Sequence, residues 1–244
     1  ARSRHRWAKE WFECTGRVLA DVWSVAASRL AAHALTHPAD LTIVHSEAGL
    51  WFGARLQKAG HRVGLDFEDW FSRDLAVHQR RGRPVNVLAN VERQLLARSV
   101  YRLAPSVAMA RALAAANGTS SPEVIYNTVP LAPEPPPPAC ASAVRLHWFS
   151  LVVGPERGLE TLAAALPLLH GRWRLLLRGE CSESYRRVFL HAVPEALREQ
   201  IEFLPTLPAG ALSAALGTQD IGLALDVSTI ESRNLTITNK LFHY

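Results

Sequence analysis

Short apolar runs alternate with amphipathic stretches of helical period along the whole chain. Runs at 41–45, 61–66, 106–108 and 123–127 read as strands bounded by turn residues. Helical periodicity fills the intervals. It covers a first region carrying Trp7, Trp11 and Val18 that continues to Asp40, then 49–59, 85–102 and 111–116, where Asn117 and Gly118 stop it. The alternation resumes later, with strands predicted at 144–149, 173–177, 201–204 and 221–225. Helices are predicted at 157–169, 183–198 and 209–216, with a last one from Thr238. Repeated strand–helix units predict an α/β fold, with parallel sheets covered by helices on both faces.

A proline run, PLAPEPPPPA at 130–139, separates the two halves. Such a run cannot donate ladder hydrogen bonds and favours extended polyproline, so it reads as a stiff linker. The expected organisation is two Rossmann-like domains, 1–129 and 144–244, joined by a linker at 130–143. The chain stops inside an apparent helix, and the second half offers only four strands. Both domains are therefore expected to be incomplete parts of a longer protein.

Composition narrows the function classes. With 244 residues and 48% hydrophobic content, the chain can bury a core in each half. No apolar run approaches the ~20 residues of a membrane span. The N-terminal ARSRHR lacks an apolar core behind its basic residues, so it does not read as a signal peptide. The net charge of +5 comes almost wholly from scattered arginines, the only lysines being Lys9, Lys58 and Lys240. That is a compositional bias and not a binding stripe, and no nucleic acid partner is expected. Cys14, Cys140 and Cys181 are odd in number and far apart, which fits a reducing compartment and no metal framework.

In open parallel sheets, ligands sit beyond the carboxyl ends of the strands. His45 falls there, as do Asp66, Glu68 and Asp69 after the second strand. In the second half Ser150, Gly154, Arg157 and Gly158 follow the first strand, and Arg178 and Gly179 the next. The stretch from Asp226 through Glu231 to Asn239 and Lys240 follows the last. Arg157 stands where a helix begins, at unpaired N–H groups and a partial positive charge that attract phosphate. Lys240 at a second helix start would add a cation for the same diphosphate. Each position has a structural alternative: a satisfied histidine, solvated or capping acids, an arginine at a surface helix start.

The ordered segments LTIVHSEAGL (41–50), GLDFEDW (64–70), VIYNTVP (124–130), WFSLVVGPERGLE (148–160), LRG (177–179), DIGLAL (220–225) and NLTITNKLFHY (234–244) carry a family resemblance. The chain resembles the retaining glycosyltransferase family 4, with its two-domain GT-B architecture facing a cleft. The resemblance implies acceptor recognition by the first domain, with Asp66, Glu68 and Asp69 on its cleft side. It implies nucleotide-sugar binding by the second, through Ser150, Gly154, Arg157, Gly158, Arg178, Gly179, Glu231, Asn239 and Lys240. His45, Arg157 and Lys240 take the catalytic positions: His45 contacts the transferred sugar, and the two cations stabilise the departing diphosphate. No cofactor and no metal are implied, and the nucleotide-sugar is a substrate. The resemblance departs at the family's pair of glutamates, where Leu235 and His243 stand, and the glycine-rich loop of the first domain is absent.

The expected function is transfer of a hexose-type sugar from a nucleotide-diphosphate donor to a glycan or lipid-linked acceptor, in the cytoplasm. A non-catalytic module that only binds a nucleotide-sugar is the alternative that the altered glutamates favour. A third reading makes Asp66 and Glu68 a metal-dependent transferase site. The basic, Trp-bearing N-terminal helix reads first as packed on the sheet, and otherwise as a peripheral contact with an anionic membrane surface.

Overall fold

The computed structural model describes residues 2–37, 39–130, 143–225 and 230–244, so most of the proline run and Asp226 lie outside the described residues. The chain forms two compact units. One comprises 1–126 with 228–237, the other 127–227 with 238–244. Each contains a four-stranded sheet in which every described strand pair is parallel. This is the α/β architecture expected from the alternating pattern.

In the first unit the strands β1 (Thr42–Val44), β2 (Val63–Asp66), β3 (Arg102–Ala104) and β4 (Glu123–Val124) lie in that order. The helices are α1 (Arg2–Thr15), α2 (Ala27–Thr36), α3 (Ser46–Lys58), α4 (Val85–Arg98) and α5 (Val107–Asn117). The sheet core is Val44, Leu65, Leu95, Leu96, Met109 and Leu113, all fully buried or nearly so. A second cluster of Ala8, Val22, Trp23, Ala27 and Leu88 packs under α1. The expected strand at 106–108 is instead a helix start. Ser106 is an N-cap whose hydroxyl accepts from Met109 N, and the strand lies earlier at Arg102–Ala104. Among the described residues, no helix is long and apolar enough to cross a membrane.

In the second unit β5 (Val144–Val153), β6 (Trp173–Cys181), β7 (Ile201–Leu204) and β8 (Ile221–Gly222) pair in the order β7-β6-β5-β8. The helices α6 (Leu159–Ala165), α7 (Glu183–His191) and α8 (Ala209–Leu216) follow the first three strands. Trp148, Leu159, Leu166, Leu175 and Leu177 are its fully buried core. The expected helix over 157–169 is split, because Pro167 leaves only a 3-10 turn at Leu166–Leu168. Pro194 likewise ends the helical stretch expected over 183–198, and a 3-10 helix at Glu195–Gln200 replaces its second half.

The two short helices α9 (Glu231–Leu235) and α10 (Lys240–His243) belong to different units. The stretch from Ile230 to Ile237 was expected in the second domain but packs with the first unit. Polar groups that would otherwise be buried without partners decide this. The Ser232 hydroxyl, fully buried, accepts from Trp70 N at 2.8 Å and donates to the Asp69 carboxylate. Ser106 Oγ donates to Leu235 O, and Arg73 pairs with Glu231 while stacking on Trp70 at 4.1 Å.

Glu92 holds the same loop from beneath. It is 1% exposed among the leucines of α4 and accepts from Ser72 N (2.9 Å), Ser72 Oγ (2.5 Å) and the Trp70 indole. Burial pushes its carboxyl up to about 7, against the lowering effect of those hydrogen bonds. A raised carboxyl pKa means that the fold takes up a proton more readily than the unfolded chain. The stability this contributes is present below the ordinary glutamate value and lost as pH rises through about 7. Glu92→Gln keeps the shape without the charge. It is expected to raise the melting temperature at pH 8.5 by an amount equivalent to roughly 2 kcal/mol, with little change at pH 5. Thermal denaturation at both pH values checks this.

Candidate functional site

Parallel pairing brings the strand ends that carry the candidate residues to one edge of each sheet. In the first unit, β1 runs directly into α3. His45 is the extended N-cap, and Ser46 turns the chain at a φ of +62°. The His45 Nδ1 lies 3.2 Å from Glu68 Oε1, both side chains being more than half exposed. Asp66 ends β2, and Phe67 behind it is fully buried, its N–H bonded to Leu103 O. That anchor brings Glu68 round to His45.

The acids differ in environment. Burial raises the Asp66 carboxyl, Glu68 adds to this and His45 opposes it. Burial pushes Asp69 up to about 6, assisted by the charges of Asp74 and Glu68 and opposed by Arg233 and the Ser232 hydroxyl. Asp66, Glu68 and His45 thus form one interacting group, while Asp69 is engaged by the Ser232 segment. Among the described residues, no group of three or more His, Cys, Asp or Glu is gathered to hold a metal ion.

In the second unit the extra length of β5 shapes the candidate phosphate loop. Phe149 pairs with Arg178 and Val152 with Glu180, so β5 carries one more residue than β6 between those pairs. This bulge at Ser150 and Leu151 turns the Ser150 carbonyl onto Gly179. A Cβ at Gly179 would meet that oxygen well inside contact distance, so glycine is required there by close approach. Beyond β5 come Gly154, buried, and Glu156 at a φ of +60°. Arg157 is partly exposed, and buried Gly158 caps α6. Arg157 makes no hydrogen bond or ion pair among the described residues. Arg178 donates from Nη1 to Pro205 O at 3.0 Å, while its buried Nε has no partner among the described residues.

Lys240 opens α10 and is 7% exposed, with its ammonium 5.3 Å from the Trp148 ring centroid. Asn239 is exposed and accepts from Asn127 Nδ2 at 2.7 Å. Glu231 is in the first unit, paired with Arg73, whereas the other donor-side candidates belong to the second. The second unit therefore carries Ser150, Gly154, Arg157, Gly158, Arg178, Gly179, Asn239 and Lys240. The first carries His45, Asp66, Glu68, Asp69 and Glu231.

Among the described residues, sequence reasoning passed over two buried titratable groups. Glu92 occupies an apolar-face position between Leu88 and Leu95, and that misplaced charge was its signal. His147 sits inside the apolar run of β5 and is fully buried. The Tyr244 hydroxyl donates to His147 O at 2.7 Å and lies 3.2 Å from Nδ1, while Nε2 has no partner among the described residues. Burial pulls the imidazole down to about 4, and the Arg178 charge adds to this.

No family model and no curated protein matches the chain in sequence. Solved structures do match in fold. HepE of Anabaena, in complex with UDP and glucose, superposes with a TM-score of 0.62 at 17% identity, over 83% of this chain and 56% of that one. Sucrose-phosphate synthase from Thermosynechococcus elongatus gives 0.61 at 13% identity, over 81% and 53%. The lipopolysaccharide outer core galactosyltransferase WaaB, in its apo form, gives 0.52 at 15% identity, over 80% and 52%. The chain spans just over half the length of these proteins, and what it shares with them is the GT-B type of fold.

Two consequences of the second unit can be measured. The His147 ring nitrogens should report a neutral imidazole at pH 5.5 in an NMR titration, where an ordinary histidine is mostly protonated. A depressed pKa contributes stability above the ordinary value of 6.5, and this is lost as pH falls toward about 4. Gly179→Ala should cost about 2 kcal/mol in urea unfolding, because Ser150 O must move.

Proposed function

We propose that the chain is part of a retaining glycosyltransferase of family 4. It would move a sugar from a nucleotide-diphosphate donor to a glycan or lipid-linked acceptor, in the cytoplasm. The observation that carries the reading is the β5–α6 connection. A bulged strand, a tight glycine-bounded loop and an Arg157 with no hydrogen bond or ion pair among the described residues stand beyond a sheet of the matching fold. A guanidinium held there has its planar set of donors available for phosphate oxygens.

In the proposed reaction the bond between the anomeric carbon and the donor phosphate oxygen breaks, and the diphosphate leaves with the electron pair. Arg157 and Lys240 stabilise the charge that develops on it. The acceptor hydroxyl oxygen bonds to the same face of the anomeric carbon, which retains configuration, and its proton passes to the departing phosphate oxygen. His45 contacts the transferred sugar, oriented by Glu68. Asp66 and Asp69 stand on the acceptor side. Protein cations do this work, so no metal is required.

A second reading, a binding module without turnover, is favoured by two observations. Lys240 is buried against Trp148, and His243 and Leu235 stand in place of the family's glutamates. Peripheral contact with the inner face of the membrane is also proposed. It rests on the stacked Trp7 and Trp11 of α1, which are 55% and 36% exposed beside Arg4 and Arg6.

Calorimetry with UDP and other nucleoside diphosphates tests the donor site. Arg157→Ala should weaken binding by about 2 kcal/mol, and unchanged affinity counts against the site. Sugar transfer that persists in a chelator supports the metal-free mechanism. Nucleotide binding without transfer or hydrolysis supports the second reading. Co-sedimentation with anionic vesicles, lost in Trp7→Ala/Trp11→Ala, checks the membrane contact.

A further inference from the structure

The face of α1 opposite its exposed tryptophans lines two adjoining cavities in the first unit. His5, Lys9, Phe12 and Gly16 follow one another at spacings of four, three and four, which is one side of a helix and its C-terminal exit. The N-terminal half of this stripe is polar and the C-terminal half is not. Across from it runs the segment from Arg80 to Val87. Arg83 and Pro84 line both cavities, so the two share a wall.

The first cavity, of about 220 Å³, is rich in donors. Lys9 and Arg83 supply two cations, and Glu47 at the start of α3 pairs with Arg83. His5 Nδ1 lies 2.6 Å from Asp21 O, so that nitrogen carries the proton, which leaves Nε2. Trp23, 8% exposed, forms part of the wall, and its buried indole N–H has no acceptor among the described residues. Burial lowers the Arg83 pKa, the sign of a cation drawn out of water.

The second cavity, of about 440 Å³, presents Phe12, Val85 and Val87 beside Arg80 and Asn86. Together the cavities reach the size of small-ligand pockets, about 300–1,000 Å³. The wall they share is fixed. Gly82, at a φ of +68°, lets the backbone come down onto Lys9 and Glu13, where a Cβ would be crowded, and Arg81 pairs with Glu13 at 3.2 Å. Arg83 is thereby held against α1.

We propose that these two cavities bind one amphiphilic anion, with its oxyanion group between Lys9 and Arg83 and its apolar portion along Phe12, Val85 and Val87. The inference rests on the reading of the first unit as the acceptor side, and within it selects a lipid-linked phosphate over a neutral glycan. A phosphate ester and a carboxylate share the recognising chemistry, and the probes below separate them.

The test uses the full chain and monomeric octyl phosphate, octanoate, octanol and inorganic phosphate, titrated by calorimetry. Octyl phosphate should bind at least tenfold more tightly than octanoate, octanol or inorganic phosphate. Lys9→Ala and Arg83→Gln should each weaken it by about tenfold or more, as loss of a charge-assisted contact predicts. Phe12→Ser should bring octyl phosphate down to the level of inorganic phosphate. Circular dichroism of each variant separates lost binding from lost fold, and Lys9, which makes no ion pair among the described residues, remains a test if Arg83→Gln unfolds. Equal binding of octanol and octyl phosphate, or unchanged affinity in Lys9→Ala, overturns the proposal. Octanoate binding as tightly as octyl phosphate assigns the site to fatty carboxylates and overturns the phosphate ester. UDP binding to the Lys9 variant should stay at the wild-type level, so failure here is distinct from failure of the donor site.

Discussion

Parallel strand pairing is the constraint from which the rest of the molecule follows. A parallel neighbour cannot be reached by a hairpin, so each strand must be followed by a crossover that returns the chain to the other edge. Every described pair in both sheets is parallel. The residues that leave the strands are thus gathered at one edge without any contact among themselves being needed. His45 with Glu68, and the Arg157 loop beside the end of β6, are products of that geometry.

Buried polar groups then decide details that hydrophobic packing leaves open. Ser232, Asp69, Ser72, Trp70 and Glu92 satisfy one another in a small volume, and their demands fix the loop after β2. The two units respond to acid in opposite senses. Glu92 and Asp69 favour the protonated side of their titrations in the fold, whereas His147 favours its neutral form. Stability as a function of pH is therefore the sum of curves with opposite slopes, one set by carboxyls and the other by an imidazole.

The architecture was legible because strand and helix periods alternate cleanly, and β2, β7 and α8 stand close to where the pattern puts them. Errors cluster where a local polar or cyclic residue overrides periodicity. Ser106 read as the start of a strand, but its hydroxyl caps a helix. Pro167 and Pro194 each cut a helix that amphipathicity extended. Candidate residues at strand ends were found because topology is written in the pattern. His147 and Glu92 were not, since a polar residue within an apolar run is identified only by the partner that meets it, and those partners lie 97 and 20 positions away.

The first unit is not built from a continuous stretch of chain. Its loop after β2 and the start of α5 bond to Ser232 and Leu235, which follow the whole of β5 to β8 in sequence. During synthesis the first sheet can form long before those residues exist, but its last segment arrives only after the second sheet has been made. Completion of the earlier unit is thus timed by translation of the later one. An incomplete chain ending before Ile230 would expose the backbone of Trp70 and the carboxylate of Asp69 without the hydroxyl that joins them.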